Sequence, residues 1–342
     1  MHQSVAATVV PTGASDPRAF TDEIAGESPK GTGMFGKKYV RALINRSTED
    51  PAERRRFLRS ATAAGLGVVG AGLLSSEIRP SKASAAETPA VSDAAIFNFA
   101  LNLEYLEAEF YSYAVNGSGL PDSLTGGAGQ RGPVEGGRAV NFRSNSIRQF
   151  AAQIARDEHE HVAFFRSELG SAAVARPAIN IRDSFTAVAI AAGLIKPGQT
   201  FDVFASEDNF LRGAFIFEDV GVTAFKGAAP LISNKTYLGA AAGILAVEAY
   251  HAANIRTVLY ERGGAEDANR ISAARRSLNP GTNLDQGLTV NGQANIVPDD
   301  SNGVAFARSP GQVLNIVYLT PKPATQGGFY PNGVNGSVNT SA

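Results

Sequence analysis

The sequence predicts an all-α fold: a four-helix bundle with one long crossover connection, followed by a mostly irregular C-terminal extension. Three observations predict it. Four segments carry apolar residues at helical spacing. Their connections run loop, long crossover, short turn, which is the order of a bundle whose two halves are joined by one crossover. Each of the four apolar stripes is interrupted near its middle by a glutamate.

The first helix spans 92–115. Ser92 is its N-cap, and Phe97, Leu101, Glu104, Ala108, Tyr111 and Val115 share one face. Asn116-Gly117-Ser118-Gly119 ends it, and the glycine-rich stretch 117–141 reads as a loop. The second helix spans about 141–169 and stops at Gly170, with Ile147, Ala151, Ile154, Glu158, His161 and Phe165 on one face. Residues 170–205 form the crossover, with a short apolar helix near 183–193. The third helix spans 206–229 and aligns Leu211, Phe215, Glu218, Val222 and Phe225. Pro230 and Ser233-Asn234 mark a tight turn. The fourth helix spans 235–262, aligns Ala241, Ile244, Glu248, His251, Ile255 and Val258, and ends at Gly263-Gly264. Residues 86–264 therefore make the bundle. The extension, 265–342, is rich in Gly, Asn and Pro, with one short helix near 309–318, and reads as an ordered cap on the bundle.

The first 85 residues read as an address. Arg54-Arg55-Arg56-Phe57-Leu58-Arg59 resembles a twin-arginine export signal. An apolar small-residue stretch, Ala61 to Leu74, follows; it is short of the roughly 20 apolar residues of a membrane span. Ala83-Ser84-Ala85 is an A-x-A cleavage pattern, so cleavage is expected after Ala85 and the mature chain is expected in the periplasm or outside the cell. The leader is long, and both Met1 and Met34 are candidate starts.

Composition narrows the chemistry. The net charge of −1 argues against a nucleic-acid partner, which would need a basic face. The chain has no cysteine, which removes disulfides, iron–sulfur clusters and thiol catalysis. A metal site would have to use Asp, Glu and His. After cleavage at Ala85 the chain would also lack Met and Trp, so side chains easily damaged by oxidants are absent.

The candidate ligands are Glu104, Glu158, His161, Glu218, Glu248 and His251. Two of the glutamates are followed three residues later by histidine, a spacing that puts both side chains on one helix face. A single Glu-x-x-His is common on solvent-facing helices. Here two such pairs and two further glutamates all fall inside apolar stripes. The pattern also repeats: Glu104 has Tyr111 at plus seven and Glu218 has Phe225 at plus seven, so the first helix matches the third and the second matches the fourth. An ionised carboxylate in a bundle core costs several kcal/mol unless paired. Two divalent cations supply four positive charges against four glutamates. Oxygen and nitrogen donors suit iron or manganese and do not exclude zinc. Two metals about 3.5–4 Å apart can clamp a small oxygen species. Glu107, one turn after Glu104, could replace it or join it; the matching position in the third helix is Gly221, so Glu104 is assigned and Glu107 kept as backup. Tyr111 is a hydrogen-bond donor to a ligand, a radical trap or a core aromatic.

At Leu103-Glu104-Tyr105-Leu106-Glu107-Ala108-Glu109-Phe110-Tyr111 and Phe217-Glu218-Asp219-Val220-Gly221-Val222-Thr223-Ala224 the chain resembles the ferritin-like superfamily, and most closely its desiccation-related branch. Gly327-Gly328-Phe329-Tyr330-Pro331-Asn332-Gly333 is similar to that branch too. The resemblance covers about 92–335. It implies the bundle and the dimetal ligands, and little about substrate. Without cysteine there is no rubredoxin-type module, and without methionine there is no bacterioferritin-type haem ligation; the long 117–141 loop and the extension set the chain apart from a storage cage. Three functions compete. The first is an exported dimetal enzyme acting on oxygen or peroxide as ferroxidase, peroxidase or manganese-catalase-like protein, in oxidative or desiccation stress. The second is a non-enzymatic protein in which the ions staple the bundle. The third is an envelope structural protein that assembles through its extension. The expected partners are small oxygen species or metal ions, with no stable membrane span after cleavage; a homo-oligomer is compatible.

Overall fold

A computed structural model describes residues 91–342; the twin-arginine segment and the cleavage pattern lie outside the described residues. Among the described residues there are seven α-helices: α1 Asp93–Asn116, α2 Asn145–Leu169, α3 Asp183–Ala191, α4 Glu207–Ala228, α5 Lys235–Glu261, α6 Ala265–Ser277 and α7 Pro310–Val317. The four long ones are α1, α2, α4 and α5, joined through the crossover that holds α3. This is an all-α ferritin-like bundle. No helix among the described residues is long and apolar enough to cross a membrane.

Capping residues set where the helices begin. The Ser92 hydroxyl accepts from the Ala95 amide, Ser206 from the Asn209 amide, and the Asn234 side chain from Thr236 and Tyr237. Ser309 and Gln312 form a reciprocal capping box, with Pro310 inside the first turn of α7. Gly117 closes α1 at φ 73°, a left-handed conformation that favours glycine. The second helix starts at Asn145 rather than near 141. The reason is α4: Glu207 accepts the Arg143 and Ser144 amides and the Ser144 hydroxyl, which holds this segment out of the helix.

Packing pairs α1 with α2 and α4 with α5, and α1 also lies against α4. Residues Phe97, Phe110, Phe165, Phe185, Phe210 and Phe215 are fully buried. The loop after α1 is tied to the crossover by two short parallel strands, β1 Val134–Glu135 and β2 Ile179–Asn180. A small antiparallel pair, β3 Thr289–Val290 and β4 Gln293–Ala294, lies in the extension.

The extension departs from the sequence-based expectation in one respect. Residues 265–277 form a helix, α6, which the reading of 265–342 as mostly irregular omitted. Its first turn carries Glu266 and Asp267 and its last turn Arg275 and Arg276, the arrangement that the helix dipole favours. The segment also supplies core. Arg275 of α6 and Arg256 of α5 both donate to Asp219 Oδ2 of α4, at 2.6 and 2.7 Å. Arg275 and Arg308 both pair with Asp285, the former at 2.9 Å. All five side chains are at least nine-tenths buried. Phe329 packs edge-on against Phe185 and Phe217, and Tyr330 donates to the Asn102 carbonyl of α1 at 2.6 Å. Asn335 exchanges hydrogen bonds with Asn102 from the other side.

Removing one partner from a buried ion network strands the others without compensation. Asp285→Ala leaves Arg275 and Arg308 short of a shared carboxylate, and should destabilise the protein by about 3–5 kcal/mol. Urea unfolding at neutral pH measures this; an unchanged midpoint would show that the extension is only laid on the bundle.

Candidate metal centre

The middle of the bundle is where the four long helices each turn a glutamate inward. Glu104 comes from α1, Glu158 from α2, Glu218 from α4 and Glu248 from α5, and none is more than 1% exposed. His161 and His251 stand one turn after Glu158 and Glu248 and are 8% and 5% exposed. The structure brings all six together. The His161 Nδ1 lies 3.2 Å from Glu104 Oε2, 3.4 Å from Glu158 Oε2 and 3.7 Å from Glu248 Oε1. The His251 Nδ1 lies 3.1 Å from Glu158 Oε1 and 3.5 Å from Glu218 Oε2. Two ligand groups result, Glu104/Glu158/His161/Glu248 and Glu158/Glu218/His251, each with its donor atoms within 4.8 Å of one another. Glu158 belongs to both and offers one oxygen to each.

The residues present fit a pair of metal ions. Glu104 Oε1, both oxygens of Glu158, Glu218 Oε2, both oxygens of Glu248 and His251 Nδ1 are buried without a hydrogen-bond partner. Buried polar atoms are rarely left so, and six orphaned carboxylate oxygens with an imidazole nitrogen at one point fit a cation. The protonation pattern of the metal-free site says the same. Burial raises the Glu104 carboxyl to about 8. Glu218 is raised for the same reason, and Glu107 and Glu248 well above the usual range, through burial first and neighbouring carboxylates second. Burial works against ionisation of Glu158, but the two imidazoles overcome it and hold that carboxyl below its ordinary value. Burial likewise opposes charge on the imidazoles, yet Glu104 and Glu158 raise His161 to about 11, and Glu218 and Glu158 raise His251 to about 11. Protons here do the work that cations would do better.

The remaining candidates have distinct places. Tyr111 is fully buried against Phe110 and Phe210 and also donates its hydroxyl to Glu218 Oε1, so it is both a core aromatic and a ligand partner. Glu107 is 7% exposed and faces the same interior as Glu104. Two contributors were not singled out from the sequence. Asp157 stands in the charged run Asp157-Glu158-His159-Glu160, and its Oδ2 lies 3.3 Å from His251 Nε2, the ring nitrogen turned away from the carboxylates. A carboxylate in that position fixes the tautomer and orientation of a metal-ligating imidazole. Gly221 reads as the gap in the half-repeat; a Cβ there would fall 2.2 Å from Glu248 Oε2, so the missing side chain is the room Glu248 occupies.

The two halves are consequently unequal. The group containing Glu218 and His251 has a hydroxyl and a carboxylate behind its ligands. The half-repeat places Phe225 and Val247 where the other half has Tyr111 and Asp157.

Two outcomes follow from this geometry. Glu104, with a folded value near 8 against 4.5, binds a proton the unfolded chain has shed, and the raised histidines act in the same sense. That contribution to stability is complete below pH 4.5 and is lost as pH rises through 8. Chelator-treated protein should therefore melt at lower temperature at pH 8 than at pH 5, and metal loading, which displaces the protons, should erase the drop; equal melting of the metal-free protein at both pH values would contradict the pattern. Gly221→Ala gains helix propensity, up to about 1 kcal/mol, but forces the Glu248 carboxylate to move. Titration calorimetry should show metal affinity falling by about tenfold or more while the metal-free protein melts no lower than before.

Comparison with known proteins agrees with the geometry. Residues 92–261 match the ferritin-like domain family. The chain is 33% identical over 269 residues to the desiccation-related protein PCC13-62 of Craterostigma plantagineum, an alignment covering 72% of this chain and 83% of that protein. It is 29% identical over 276 residues to the ferritin-like catalase Nec2 of Nesocodon mauritianus, covering 72% and 85%. No solved structure matches it. The bundle, the glutamates and histidines at its centre and these relatives together make the chain a member of the ferritin-like superfamily.

Proposed function

We propose that this is an exported dimetal-carboxylate enzyme, loaded with manganese or iron, that disproportionates hydrogen peroxide into water and oxygen during oxidative or desiccation stress. The observation that carries the proposal is the convergence of six ligand side chains from four helices on one buried point, with seven of their oxygen and nitrogen atoms left without a hydrogen-bond partner. Bound there, a metal pair supplies two redox-active ions able to hold a small oxygen species between them. Glu158, which belongs to both ligand groups, would offer one oxygen to each position. Asp157 keeps the His251 ring turned toward the centre, and Tyr111 holds a proton at its oxygen, against Glu218. Phe110 and Phe210 pack against Tyr111, and the six ligand side chains are at most 8% exposed.

The reactant class is supported by the name of the Nesocodon relative, a ferritin-like catalase.

A second reading rests on the same four-helix convergence: the ions staple the bundle and no turnover occurs. The name of the Craterostigma relative is neutral between the two. Oxygen release from peroxide by manganese-loaded and iron-loaded protein separates them. The enzyme reading expects release, and expects Glu218→Ala to lose at least tenfold of it while keeping its helical content. Unfolding of that variant, with no oxygen released by the parent, would establish the staple. Iron oxidation without oxygen release would make the protein a ferroxidase instead.

Export belongs to the proposal through Arg54-Arg55-Arg56-Phe57-Leu58-Arg59 and Ala83-Ser84-Ala85. N-terminal sequencing of protein from the periplasm or medium should begin at Ala86, and retention of the intact chain inside the cell would remove this part.

A further inference from the structure

Glu107 is a buried carboxylate at the centre to which neither reading gives a part. It lies one helical turn after Glu104, 7% exposed. Among the described residues no group donates a hydrogen bond to it. On one side it borders an apolar slot between α1, α4 and α7, whose other walls include Leu106, Ile216 and Ile316. On the other side it meets Glu248. The point that a Cβ on Gly221 would occupy is 2.2 Å from Glu248 Oε2 and 3.6 Å from Glu107 Oε1. The two carboxylate oxygens are therefore within about 6 Å of each other, the range in which like charges act strongly. Neither oxygen of Glu248 has a hydrogen-bond partner.

The count of charges then changes. Glu104, Glu158, Glu218 and Glu248 match two divalent ions. Once metal binding has displaced the protons, Glu107 makes a fifth carboxylate, and two divalent ions then leave one negative charge unbalanced in a dry interior. A pair carrying five positive charges, one divalent and one trivalent ion, neutralises it. We propose that Glu107 is a fifth carboxylate of the metal centre whose charge favours a trivalent ion at one of the two positions. This deepens the dimetal reading and rests on it. The fifth carboxylate is placed opposite the gap at Gly221, so it acts on the side of the centre where Glu248 enters. For a centre that must cycle between oxidation states, such a residue sets which state is preferred.

Redox-inert ions test this without any turnover. Zinc stands for the divalent ion and gallium for the trivalent one, each buffered by a chelator, with bound metal per chain counted by elemental analysis. The parent protein should take up two zinc ions, and should exchange one of them for gallium. Glu107→Gln, which keeps the shape and removes the charge, should still bind two zinc ions and should lose at least tenfold in gallium affinity relative to zinc. Glu107→Asp retains the charge and should keep the preference for gallium. Should the Gln variant fail to fold, Glu107→Leu against Glu107→Asp makes the same comparison. An unchanged gallium-to-zinc ratio in the uncharged variant overturns the role of Glu107 and leaves the dimetal reading intact. A parent protein that binds no zinc at this centre overturns the dimetal reading and this proposal with it.

Discussion

The structure depends on how a dry bundle interior tolerates several carboxylates at one point. Glu104, Glu158, Glu218 and Glu248 are essentially inaccessible to solvent, and burying an unpaired charge costs several kcal/mol. Two histidines cannot balance them all. In the absence of metal the protein can only protonate some of the acids and charge both imidazoles, which is the pattern its environment imposes. Metal ions would resolve the conflict, because they neutralise charge and accept the lone pairs that no donor reaches. The rest of the fold reads as the means of holding those side chains in place long enough for that exchange.

Two devices serve this end. The first is the pairing of α1 with α2 and α4 with α5, which brings each lone glutamate against a Glu-x-x-His from its own half. The second is the extension. It closes the outer faces of α4 and α5 with the Asp219, Arg256, Arg275, Asp285 and Arg308 network, and Phe329 and Tyr330 reach α4 and α1. Asp219 follows Glu218 directly in α4, so the same turn of helix that offers a ligand inward is pinned outward by two guanidiniums. The extension thus bears on the same helices that carry the centre.

Much of this was legible in the sequence because helical periodicity makes an intruding glutamate conspicuous. Glu158/His161 and Glu248/His251 could be paired with Glu104 and Glu218 by the internal repeat alone. What escaped is instructive. Helix α6 was hidden because Gly263-Gly264 reads as an end, whereas Gly263 at φ 75° makes a turn from which a new helix starts at once. Asp157 looks like one more surface charge beside His159 and Glu160; only the approach of α5 shows that it faces His251. Gly221 reads as a missing ligand, and its meaning as space for Glu248 depends on a neighbour 27 residues away in sequence. Periodicity reports which face of a helix a residue occupies, but not what the facing helix places opposite it.

The central claim is that two metal ions sit among these side chains. Anomalous diffraction from crystals of metal-loaded protein, recorded at the manganese and iron absorption edges, tests it most directly. The account predicts two peaks in the bundle interior, one among Glu104, Glu158, His161 and Glu248 and the other among Glu158, Glu218 and His251. Peaks confined to the surface, or none where the glutamates converge, would contradict it.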